Sequence, residues 1–131
     1  MAFVRASQGG GGGELTPTVI WTNYNTSQAF NTNDVTLGDG ISKYKYIKVI
    51  FCYSTNAIAK TCGVLVDTNE ISNFQVGQNN MSFAGMCGGS SNYYRIFTYV
   101  NNVTLHFYNC VNQIGQENNS VCIPFQVIGY K

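Results

Sequence analysis

His106 is the one histidine of the 131-residue chain, and so the one side chain suited to general-base chemistry near neutral pH. Cys87, in the glycine-rich "GMCGGSS", is the thiol that would partner it in a nucleophilic pair, but nothing in the spacing draws the two together. Glycoside hydrolysis would need two carboxyl groups about 5 to 9.5 Å apart across a bond. Asp34 and Asp39 flank one turn, and Asp67 and Glu70 sit in another, where turn formation alone places acidic residues. "VDTNE" around Asp67 lacks the EF-hand spacing, and "GDG" around Asp39 lacks a phosphate-loop lysine. The sequence therefore predicts no catalytic residues, no metal and no cofactor. Sugar binding needs less machinery: aromatic faces for C–H surfaces and a few amides for hydroxyls. Asn92, Tyr93 and Tyr94, closing "GGSSNYY", are the candidate ligand-binding residues on that ground, on an expected loop.

The elements that would carry these residues are β-strands. Short β-branched and aromatic runs alternate with Asn, Gly, Ser and Asp clusters, and helical periodicity is absent. Strands are expected at 18–22, 34–37, 46–53, 58–67 and 121–130. Asp39-Gly40 reads as a tight turn needing positive φ, and a helix is conceivable at 54–60. In "YIKVIFCY", Ile47, Val49, Phe51 and Tyr53 share one face, opposite Tyr46, Lys48, Ile50 and Cys52. "CGVLV" is apolar on both faces and suggests a central strand; Pro124 suggests an edge or a bulge for the last one. "YYRIFTYVNNVTLHFYNC" is a hairpin around Asn101-Asn102, in an expected type I′ turn. With Val100 opposite Val103, Thr98 faces Leu105 and Ile96 faces Phe107; Arg95, Phe97, Tyr99, Thr104, His106 and Tyr108 fall on the other face. Trp21 reads as core. The fold expected is a single antiparallel β-sandwich of jelly-roll type over residues 15–131.

Residues 1–14 form a separate leader, with Gly9 to Gly13 in an unbroken run expected to be flexible. Phe3 and Val4 ahead of it are candidate assembly residues, docking on a neighbouring subunit while the glycines give slack. The net charge of +1 and the 10% charged residues give no footprint for nucleic acid, and no apolar stretch approaches the ~20 residues of a membrane span. Five cysteines without a CxxC pair argue against structural zinc and read as buried reduced thiols. The opening residues lack a signal-peptide core, so synthesis in a cytoplasm is expected and the Asn-x-Ser/Thr sequons carry no weight.

The segment "TPTVIWTNYNTSQAFNTNDVTLGDGISKYKYIKVIF" resembles one in small tail-associated proteins of bacteriophages and prophages of Gram-positive gut bacteria. Ile20, Trp21, Thr22, Asn23, Phe30, Val35, Thr36, Leu37, Tyr44, Tyr46, Ile47 and Val49 carry the resemblance. The hairpin from Arg95 and the ending "ENNSVCIPFQVIGYK" are similar in the same way. The resemblance implies a non-enzymatic virion component, made in the bacterial cytoplasm, at a tail tip or fibre. It implies a homo-oligomer, with a trimer favoured, whose leader contacts other virion proteins and whose domain touches a host-surface glycan or cell-wall polymer. A purely structural capsid-decoration or tail-adaptor role is the alternative, and a cell-wall hydrolase lacks its acid/base pair.

Overall fold

A computed structural model describes residues 15–72, 82–87 and 92–131. Phe3, Val4 and the glycine run lie outside them. The strands are β1 (Pro17–Thr22), β2 (Asn33–Thr36), β3 (Tyr46–Ser54), β4 (Ala57–Asp67), β5 (Phe83–Cys87), β6 (Tyr93–Asn101), β7 (Thr104–Phe107), β8 (Val111–Asn112) and β9 (Val121–Tyr130). One helical turn, α1 (Thr68–Ser72), follows β4. One antiparallel sheet has the order β1-β9-β3-β4; the other has β2-β7-β6-β5, with β8 pairing β6. The first three strands alternate between sheets, β9 inserts between β1 and β3, and β7 lies beside β2. This is the jelly-roll-like sandwich that the turn spacing predicts.

The period-two pattern of β3 explains the core. Ile47, Val49 and Phe51 turn inward and are fully buried. Phe51, Phe97 and Phe107 meet at centroid distances of 5.6 to 6.1 Å, Trp21 stacks on Phe107 at 6.0 Å, and Phe30 meets Phe107 edge-on at 5.8 Å. Each buried phenylalanine contributes about 1.5–3 kcal/mol by desolvation alone. Backbone approaches closely at two points: a Cβ on Gly85 would enter the Phe51 ring, and one on Gly129 would stand 2.6 Å from Tyr44.

Several expectations need correction. The hairpin register is one residue off: Phe97 faces Phe107, Thr98 faces His106, Tyr99 faces Leu105 and Asn101 faces Thr104, with an irregularity between Tyr99 and Asn101. Neither Asn101 nor Asn102 has positive φ, so a type I′ turn does not form. The turn that replaces it needs the extra residue of a bulge. Leu105 and Phe107 consequently share the core face with Arg95 and Phe97, and the half-buried His106 lies on the opposite face, paired with Thr98. Gly40 likewise has φ −72°; its missing side chain leaves room for the Asn102 amide instead.

β4 lies at a sheet edge rather than centrally, with Leu65 61% exposed. On its outer face the Lys48 stem lies over Gly63, and Leu65 stays exposed. β9, conversely, is central, between β1 and β3. Pro124 is accommodated by the bulge, where pairing with β3 passes from Phe51↔Pro124 to Ile50↔Gln126. Residues 54–60 turn directly into β4; the helix forms at 68–72, where Asp67 Oδ1 accepts the Asn69 N–H at 2.9 Å.

Candidate functional site

Asn92 is exposed, but Tyr93 and Tyr94 begin β6 rather than ending a loop. Tyr93 pairs with Cys87 on one side and Asn112 on the other, and Tyr94 pairs with Met86 and Val111. Strands on both sides convert an expected loop into sheet, and both rings are half-buried. Cys87 is buried, and its sulfur faces other cysteines; His106 lies on the outer face of the second sheet. The structure does not join them.

A different segment gathers the features of a binding site. Between β1 and β2 the chain runs as Asn23 to Thr32, and Asn23, Asn25, Gln28, Ala29, Phe30, Asn31, Thr32 and Asn33 line an open cleft of about 290 Å³. Tyr24, within the same loop, is 90% exposed. The loop holds its shape through short polar contacts. Asn23 Oδ1 accepts the Asn25 N–H at 2.8 Å, and Asn23 Nδ2 donates to the Pro124 carbonyl at 2.9 Å. Thr32 N–H donates to Asn109 Oδ1 at 2.8 Å, and the Asn119 amide bridges Asn31 Oδ1 and Asn109 Oδ1 at 3.1 and 3.0 Å. These contacts tie the loop to residues 109–119, so a ligand would meet groups already in place.

Arg95 supports this loop from below. Its guanidinium is fully buried, and it donates to four carbonyl oxygens: Cys122 by Nε at 2.8 Å, Phe30 and Tyr108 by Nη1 at 2.8 Å each, and Val121 by Nη2 at 3.3 Å. The cation also lies 5.3 Å from the Phe30 ring centroid. Burial pushes the guanidinium below its ordinary value, and the sulfurs of Cys110, Cys122 and Cys87 offset part of that. Among the described residues no carboxylate forms a salt bridge with it. Arg95 thereby fixes the backbone of Phe30, which forms part of the cleft wall, relative to β9 and the end of β7.

At the rim, His106 Nδ1 meets Asp34 Oδ1 at 2.5 Å and Nε2 meets Thr32 Oγ1 at 3.2 Å. The order carboxylate, imidazole, hydroxyl is that of a nucleophilic triad. The Thr32 hydroxyl, however, donates its proton to the Phe107 carbonyl at 3.0 Å. With that proton committed to a backbone carbonyl, the three groups act as a clasp between β7 and the strand and loop of the cleft. The His106 and Tyr108 rings meet edge to face at 4.5 Å.

The sequence reading looked for aromatic residues beside amides, and "NYNTSQAFN" contains that signal around Tyr24. The class defined by these observations is an all-β two-sheet sandwich with an amide-lined cleft at the β1–β2 loop. Compared with known protein families and with curated proteins, the chain matches none.

Proposed function

We propose that this chain is a non-enzymatic binding module of a virion, at a tail tip or fibre, that holds a host-surface glycan or cell-wall polymer at the cleft beside Tyr24. The single observation that carries the reading is an aromatic ring 90% exposed next to a cleft lined mostly by amide side chains. An isolated solvent-facing tyrosine costs apolar hydration that a sugar face would relieve, and Asn and Gln can both donate to and accept from hydroxyls. The virion part of the reading is supported by the resemblance of 16–51, whose Asn23 and Phe30 are cleft residues. The site proposed is thus the Tyr24 cleft in preference to Asn92, Tyr93 and Tyr94, whose tyrosines are engaged in sheet pairing.

The test is binding of the full chain to purified cell-wall polysaccharides and to a panel of immobilised glycans. Tyr24→Ala should weaken binding at least about tenfold, equivalent to ~1.4 kcal/mol, without changing the unfolding midpoint. Equal binding by parent and variant, or no binding by the parent, would sink the reading. A purely structural virion role is the second reading, favoured by exposed apolar residues on the two edges of the first sheet: Val19 on β1, and Ile58 and Leu65 on β4. A homo-oligomer covering them, seen by light scattering in a chain that binds no glycan, would support it.

A further inference from the structure

We propose that Cys62 and Cys87 form a thiol pair that exchanges with small anionic disulfides and closes to an intrachain disulfide joining the two sheets. Cys62 comes from β4 and Cys87 from β5, which are edge strands of different sheets. Their sulfurs stand 4.0 Å apart, and either can donate to the other. Bond formation would shorten this to about 2.05 Å. A pocket of about 130 Å³ opens at the pair, lined also by Tyr53, Lys60, Thr61 and Met86. Both cysteines line the pocket, Cys62 half-buried and Cys87 buried at 4% exposure, so Cys62 is the more accessible. Lys60, an exposed cation on the pocket wall, selects for a carboxylate-bearing partner.

The remaining cysteines explain why the inner member is the better thiolate. Hydrogen bonds from the Cys122 and Cys62 thiols draw the Cys87 thiol below its ordinary value, and the buried Arg95 cation adds to this; sharing its proton with Cys87 pushes Cys62 up. A buried guanidinium without a carboxylate partner gains from such a counter-charge. In the first step Cys62 passes its proton to the Cys87 thiolate across their 4.0 Å contact, and the Cys62 sulfur attacks one sulfur of the small disulfide RSSR. The S–S bond breaks, RS⁻ leaves and takes that proton from Cys87, and Cys62 carries SR. In the second step Cys87, as thiolate, attacks the Cys62 sulfur and displaces the other RS⁻, which is protonated in turn. Two protein thiols and RSSR become one protein disulfide and two RSH; the protein is oxidised and RSSR reduced. The new bond spans 25 positions of sequence.

The experiment treats the folded full chain with glutathione disulfide, then quenches in acid, alkylates and maps peptides by mass. The parent should lose two hydrogens, yield a Cys62–Cys87 linked peptide, retain no glutathione adduct, and leave Cys52, Cys110 and Cys122 free. Cys87→Ser should accumulate a glutathione adduct on Cys62, and Cys62→Ser should take up none. The oxidised parent should unfold at higher urea than the reduced parent, a shift absent from Cys62→Ser. A lasting adduct on parent Cys62, a bridge using Cys52, Cys110 or Cys122, or thiols that react only after unfolding in urea would each overturn the proposal.

Discussion

The Nε of Arg95 donates to the carbonyl of Cys122 at 2.8 Å, and Cys122 is the one described non-glycine residue with positive φ, at 50°. A left-handed residue other than glycine costs of order 1–3 kcal/mol and persists only where its surroundings hold it. Here the holding group is a buried cation that also donates to the neighbouring Val121 carbonyl. The strain and the charge sit in one place and support each other.

Replacing Arg95 tests this directly. Arg95→Met removes the charge but strands four carbonyls, each worth about 1–3 kcal/mol when unsatisfied and buried. Urea unfolding should show a loss of at least about 3 kcal/mol. Arg95→Lys should fall between, since an ammonium has three donors and no planar fork.

Gly85→Ala should destabilise through one named contact, the Phe51 ring. Overpacking of this kind costs about 1–3 kcal/mol. Phe51→Leu in the same chain should recover part of it, and a double-mutant cycle on urea midpoints measures the coupling.

Asp39 gives a pH signature. Its carboxylate is held below the ordinary value of 3.8 by the Lys43 ammonium at 2.8 Å, then by the Tyr44 hydroxyl and the Gly40 N–H. A depressed carboxylate contributes stability that is full above the unfolded value and is lost as pH falls through the folded one. The melting temperature of the parent should therefore drop more steeply below about pH 4 than that of Asp39→Asn.

His106→Gln removes the clasp without touching the core. Because Asp34 is 63% and His106 27% exposed at the side chain, the loss of stability should stay within about 1 kcal/mol. Hydrogen exchange at Thr32 and Asn33 should nevertheless quicken, since their loop loses a tie to β7; unchanged exchange would show the clasp to be idle.

Legibility followed length and period. β3 alternates from Tyr46 to Phe51, so its buried set is readable as Ile47, Val49 and Phe51, and the period breaks only at the buried Cys52. The jelly-roll-like sandwich followed from turn spacing. What escaped is what a single bulge controls: one extra residue before Asn101 shifts β7 by one position, so Leu105 and Phe107, and not Thr104 and His106, share a face with Arg95 and Phe97, and Arg95 is fully buried. The cleft escaped for another reason. Its walls are loop amides placed by partners more than 70 residues away, such as Asn109 for Thr32, and no local pattern encodes such distances.

β1 leads from Leu15 almost directly to the cleft, ending two residues before Tyr24. A pull between a ligand held at that ring and the chain entering at Leu15 would run along this one extended strand, through covalent bonds. The rest of the sandwich would carry little tension, and β1 would be loaded lengthwise against β9, with its ladder of hydrogen bonds in shear.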